Sequence, residues 1–363
     1  MSRADAALDL VANLAMAGAV AALVLRPKVV SRIAASPVLP KAMALTRGAG
    51  STLMRRPAPP RPVTAAKEKA DELARMISRY APQARRRRQE LTRGAGRRLN
   101  GSAAMLALSV LADSAVEHYR GSFENRAMYT PLVAAALTLG ASLFGAADAR
   151  PSKHVARDTI YAAAAATGCA GFGFHSYNIL KRPGHWSWLN LFYAAPIGAP
   201  MALALAGLLG RGAERVRDTR PHRRASVLGL PAGRVLAGVT AAGLAGTVGE
   251  AGLLHFRGAY HDPFMLLPVT VPPIASALLG ASALHPHRTL HRLTRWWLRL
   301  TALLGFAGVG FHAYGVARNM GGWRNWSQNV LNGPPLPAPP SFTGLALAGL
   351  AALSLIEEAQ TDA

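Results

Sequence analysis

The chain repeats itself at a fixed distance, and the repeat carries its histidines. His118-Tyr119-Arg120-Gly121 returns 137 residues later as His255-Phe256-Arg257-Gly258. The stretch from Gly168 through His175 to Tyr177 returns as Gly305 through His312 to Tyr314 at the same distance, with seven of ten positions shared. Ala and Gly are abundant throughout, but His, Phe and Tyr carry part of the match. Self-similarity at one fixed period is the signature of a tandem duplication.

Composition bounds the class. Of 363 residues 51% are apolar, and 41 Lys and Arg stand against 18 Asp and Glu. A soluble chain this basic would suggest nucleic-acid binding. Here the apolar residues form long blocks and the charges lie between them, so the reading is an all-α integral membrane protein, and nucleic acid is not expected as a partner. Cys169 is the single cysteine. Disulfides within the chain, Cys-only metal sites, C-x-x-C redox chemistry and the C-x-x-C-H haem attachment are therefore excluded.

Eight apolar stretches are expected as core transmembrane helices, near 102–118, 130–147, 157–178, 190–210, 234–256, 264–284, 296–316 and 341–357. They divide into two four-helix units, 101–230 and 231–363. An even number of spans per unit inserts both with the same orientation. Counting Lys and Arg puts 33 on one side of these spans and seven on the other. The positive-inside rule then places residues 26–100 and the C-terminus in the cytoplasm of an inner-membrane protein. Residues 1–25 hold one more apolar run, 7–25, followed rather than preceded by basic residues (Arg26, Lys28). That order opposes a cleavable signal peptide. The run reads as a ninth helix or an interfacial one, since Asp9 and Asn13 oppose insertion.

The basic segment 26–100 contains an extended linker at 57–63 and a short amphipathic helix, Thr64 to Tyr80, ended by Pro82. The unbroken run Arg85 to Arg88 opens a basic stretch, 85–98, expected to attract anionic lipid.

His118, His175, His255 and His312 fall near the ends of spans one, three, five and seven, at the outer face in this orientation. Neutral imidazole is a frequent ligand of haem iron and other metals, whereas a histidine at a helix end can equally satisfy the last carbonyls. Asp113 and Glu250, again 137 apart, stand five residues before the first histidine of each copy. That spacing turns about 140° around the helix, so carboxylate and imidazole do not share a face. A carboxylate there suits a partner that orients a histidine of another helix, or a proton relay. It equally suits pairing with Arg120 or Arg257. Gly168, Gly171 and Gly173, with Gly305, Gly308 and Gly310, clear one side of two helices for close packing or for a flat macrocycle. Trp186, Trp188, Trp323 and Trp326 mark the outer loops as an interfacial belt or a docking surface. His285, His287 and His291 have no duplicate and read as interfacial residues of a basic loop.

No P-loop, dinucleotide-binding glycine motif, HExxH or G-x-S-x-G is present, and no soluble segment is large and apolar enough for a catalytic domain. A non-catalytic subunit is therefore expected. The primary reading is an anchor for electron transfer, with the four histidines binding haem b or quinone and the outer loops meeting an extracytoplasmic oxidoreductase subunit. The alternatives are a proton- or ion-coupled transporter using Asp113 and Glu250, and a structural anchor without redox chemistry. The two-times-four-span layout is similar to that of quinone-interacting anchor subunits of bacterial respiratory complexes, at the level of fold alone.

Overall fold

A computed structural model describes residues 63–148, 154–219, 223–285 and 287–361. The N-terminal run 7–25 and most of the linker lie outside the described residues. The fold is all-helical apart from a two-residue hairpin, Ser226–Val227 against Leu230–Pro231. The helices are α1 Val63–Arg120, α2 Thr130–Ala147, α3 Val155–Leu180, α4 Trp188–Tyr193, α5 Gly198–Arg217, α6 Ala232–Arg257, α7 Leu267–Leu284, α8 Arg288–Arg318, α9 Trp326–Asn332 and α10 Pro340–Thr361. Short 3₁₀ turns at Arg126–Tyr129, Pro263–Leu266 and Gly322–Asn325 lead into α2, α7 and α9.

Two expectations are corrected by these boundaries. Pro82 does not end a helix: α1 runs unbroken for 58 residues through it. Proline removes one N–H and crowds one carbonyl, but the residues flanking it are helix formers. The C-terminal part of α1 is also held by packing on α5 and α10. The stretch 190–210 is not one helix either. It divides into α4 and α5, with Ala194 extended at φ −89°, ψ −166° and Pro196 pushing Ala195 out of the helical region. Gly333 breaks the chain in the same conformation, φ −89°, ψ −167°, between α9 and α10.

Four helices form an inner ring. α1 packs on α5 and α10, and α6 packs on the same two. α2 and α3 flank one side of the ring, and α7 and α8 flank the other. The ring is lined by small and medium residues, including Leu99, Ala103, Leu106, Leu209, Ala213, Ala237, Leu244, Leu345, Ala348 and Ala352, all buried. The large apolar side chains point outward instead: Val133, Leu137 and Phe144 on α2, Phe174 on α3, Ile274 on α7, and Leu303, Phe306 and Phe311 on α8. A soluble protein would not leave that much apolar surface in water, and small residues inside with large ones outside are what a bilayer favours. Among the described residues six helices are long and apolar enough to cross a membrane: Pro82–Arg120, Arg126–Ala147, Ala232–Arg257, Pro263–Leu284, Arg288–Arg318 and Pro340–Gln360. α3 and α5 fall short of that apolarity. α3 opens on Arg157 and Asp158, and α5 closes on Arg211, Glu214, Arg215 and Arg217.

Candidate functional site

The four histidines gather at one end of the bundle, and each is tied to a main-chain carbonyl further along the chain, before α2, α5, α7 or α10. His118 Nδ1 lies 2.6 Å from the Met128 carbonyl oxygen, and His255 Nδ1 lies 2.8 Å from that of Met265. His312 Nδ1 lies 2.7 Å from the Pro335 carbonyl, and His175 Nδ1 meets the Pro196 carbonyl. A carbonyl oxygen only accepts, so in each case Nδ1 carries the proton. The neutral ring then keeps its Nε2 lone pair. The glycine-poor turns after α1 and α6 need such ties. Ser122 and Phe123 sit at φ 53° and 48°, Ala259 and Tyr260 at 57° and 44°, a left-handed region costly to side chains of this size. Phe123 is held there by stacking on Tyr129 at 4.4 Å and by an edge contact with His118 at 6.2 Å. Tyr260 meets His255 at the same 6.2 Å.

The rings come together in pairs within each half. His118 and His175 lie close enough to interact electrostatically, as do His255 and His312. α1 and α3 stand diagonally, each packed on α2 and α5, while α6 and α8 stand diagonally between α7 and α10. Each pair therefore belongs to its own group of four helices. All four rings are half-buried. Among the described residues no group of three or more His, Cys, Asp or Glu is arranged to hold a metal ion. A metal here would rest on two imidazoles.

Asp113 lies within electrostatic range of Glu250 across the ring and of Glu117 on its own helix. Glu250 accepts the backbone N–H of Gly198 at the start of α5. A Cβ at Gly198 would stand 2.7 Å from the Glu250 carboxyl carbon, so glycine makes room for this contact. The position 139 residues later is Pro337, which has no N–H to offer. There Ser109 Oγ, on the same helix as Asp113, donates to the Pro337 carbonyl at 2.5 Å. Neither arginine of the repeat pairs with these carboxylates. Arg120 binds Glu117 at 2.9 Å, and Arg257 donates to the Phe192 carbonyl at 3.1 Å while lying over the Tyr193 ring.

Most of the repeated glycines serve packing. A Cβ on Gly168 would stand 2.8 Å from Ala204 Cα, and one on Gly171 would stand 3.2 Å from Pro200 Cβ. On α8 a Cβ at Gly305 would reach the Pro339 carbonyl at 2.8 Å, and one at Gly308 would reach Pro339 Cβ at 2.7 Å. Gly173 and Gly310 face open space. Trp186, Trp188, Trp323 and Trp326 are all exposed on the loops at this end, and Trp188 stacks on Phe192, which stacks in turn on Phe256.

Two further sets of residues had no place in the sequence reading. Asn190 donates to the carbonyls of Pro183 at 3.0 Å and His185 at 2.9 Å, closing the first Trp loop. Asn329 closes the second on Met320 at 3.2 Å and Gly322 at 2.8 Å. They stand 139 apart, so a search at 137 passes over them. The second set lies at the opposite end of the bundle. Glu214 is 1% exposed. It takes Arg157 Nε at 3.0 Å, Arg217 Nη1 at 3.0 Å and Asn100 Nδ2 at 3.4 Å. Arg157 reaches on to Asp148 at 3.2 Å, which also holds His154 at 3.0 Å, and Tyr161 donates to Asn100 at 2.6 Å. Just beyond the helix, burial pushes the Asp218 carboxyl above its ordinary range, against the pull of Arg217 beside it. The second half does not repeat this network. Its matching positions are Ala237 for Asn100, Thr294 for Arg157, Leu298 for Tyr161, Leu353 for Glu214 and Ile356 for Arg217. Arg157 and the i, i+3 pair Glu214 and Arg217 are the signal the sequence offers for it.

No protein-family model, curated protein or solved structure matches this chain.

Proposed function

We propose that this chain is a membrane anchor subunit for electron transfer, with one imidazole pair in each half. The carrying observation is that all four histidines hold Nδ1–H on a main-chain carbonyl with Nε2 left as an acceptor, and that His118 with His175, and His255 with His312, lie within electrostatic range. Haem-iron and metal histidines are oriented by this kind of tie through the second ring nitrogen. Two such nitrogens can hold the iron of a b-type haem from opposite sides, or one can accept the hydroxyl proton of a quinol. The exposed Trp186, Trp188, Trp323 and Trp326 then form the surface on which an extracytoplasmic oxidoreductase subunit docks.

The topology we attach to this reading is a duplicated four-helix unit with eight core spans in an inner membrane, the basic segment cytoplasmic. Recurrence of the histidine–carbonyl ties, the strained turns and the chain breaks at offsets of 137 and 139 supports the duplication. The test is an absorption spectrum with iron and quinone analysis of the full chain purified in mild detergent. A Soret band or bound quinone is expected, lost in His175→Ala and His312→Ala. A sample with no Soret band, no iron and no quinone overturns the proposal.

A second reading rests on its own observation, that Asp113 and Glu250 lie within electrostatic range of each other. Paired carboxylates at that depth suit a proton or cation path. Asp113→Asn and Glu250→Gln would then abolish flux in proteoliposomes while the folded fraction is kept, and unchanged flux in both counts against it.

A further inference from the structure

α8 carries a stripe of basic and aromatic residues that the histidine end does not use. At 100° per residue, Arg288, Arg292, Trp296, Arg299, Leu303 and Phe306 fall within about an 80° sector of the helix. All six are exposed; Trp296 is 66%, Leu303 65% and Phe306 60% accessible. Arg295, on the same side, is already neutralised by Glu357 at 2.5 Å. Among the described residues Arg288, Arg292 and Arg299 have no ionic partner.

The depth of the stripe follows from helix length. α8 has 31 residues, roughly 46 Å at 1.5 Å each, against a hydrocarbon layer of about 30 Å. Its other boundary is marked by Tyr314, with Arg318 over its ring at 5.5 Å. Counting back about 20 residues from Arg318 puts the near boundary close to Leu298. Trp296 then lies at the interface, Arg288 and Arg292 among the headgroups, and Arg299 at the boundary with a stem long enough to reach up to them. Leu303 and Phe306 continue the same line into the hydrocarbon.

We infer that this stripe is a binding site for one anionic phospholipid, its phosphate held between Arg292 and Arg299 beside the Trp296 indole and its acyl chain along Leu303 and Phe306. Two features make it more than a general basic surface. The cations, the interfacial ring and the apolar track share one line, which is the shape of a single lipid. The first half also lacks it: the positions 137 earlier are Val155 for Arg292, Thr159 for Trp296 and Ala162 for Arg299. A charge rule acting on the whole face would not require that asymmetry.

The test uses the full chain in phosphatidylcholine vesicles carrying a trace of either brominated phosphatidylglycerol or brominated phosphatidylcholine, read by tryptophan quenching. Stronger quenching by the brominated anionic lipid is expected. That excess is lost in Trp296→Phe and in the double variant Arg292→Gln/Arg299→Gln. It persists in Arg85→Gln/Arg86→Gln/Arg87→Gln, which removes more charge from the same end. Equal quenching by the two lipids in the parent chain overturns the inference. So does loss of the excess in the Arg85–Arg87 variant to the same extent as in the Arg292/Arg299 variant.

Discussion

Glu214 is the residue whose removal the buried network tolerates least. Its carboxylate neutralises two guanidinium groups, Arg157 and Arg217, which are 5% and 3% exposed. Breaking a buried ion pair from one side costs about 3–5 kcal/mol, because the other charge stays behind without compensation. Here two cations are left, but Asp148 still reaches Arg157 at 3.2 Å and Asp218 still reaches Arg217 at 3.2 Å. The expected cost of Glu214→Leu is therefore near the lower end, about 3 kcal/mol. The second half supplies the control, since it fills the matching positions with Thr294, Leu353 and Ile356, all buried and none charged. Copying it as Arg157→Thr/Glu214→Leu/Arg217→Ile should bring stability back to within about 1 kcal/mol of the parent, since removing a whole buried pair is often neutral or better. Unfolding by sodium dodecyl sulfate in mixed micelles, followed by tryptophan fluorescence, measures both. A single variant costing under about 1 kcal/mol, or a triple variant as unstable as the single, would refute the reasoning.

Gly168→Ala should lower the melting temperature in detergent, with a cost of about 1–3 kcal/mol from forced overlap with α5, while Gly173→Ala on the open side stays within about 0.5 kcal/mol of the parent. His118→Ala removes a tie and orphans the Met128 carbonyl, so about 1 kcal/mol of stability is lost whether or not a cofactor binds. The same unfolding titration reads that loss. Asn329→Ala frees the carbonyls of Met320 and Gly322, and the 319–333 loop should be cut faster by protease than in the parent, with the helices intact on a gel.

The sequence exposed the parts of the fold that depend on period and composition. Apolar blocks gave the long helices, and the matched His-x-Arg-Gly turns located the end where the histidines gather. It could not show that Asp113 would come within electrostatic range of Glu250, because that depends on how helices 137 residues apart are brought together. At Pro82 the sequence showed proline's local cost, but not that the helix formers around it would carry α1 through although residues 82–87 are exposed. The break at Ala194 was hidden by apolar residues on both sides, although Pro196 was visible. The Glu214 network was missed for a related reason. Charges at a span's end look solvated in one dimension, and only the approach of α1, α3 and α5 buries them.

The covalent link between the halves is the short hairpin at Ser226–Pro231, while α10 returns to lie against α1, where Arg88 and Glu358 stand 3.4 Å apart. Chain order is thus a poor guide to what holds the bundle closed. A permuted chain that starts at Leu230, ends at Gly229, omits residues 1–84 and joins Thr361 to Arg85 by a few flexible residues keeps the helix packing described above, and its bundle should assemble as the parent's does.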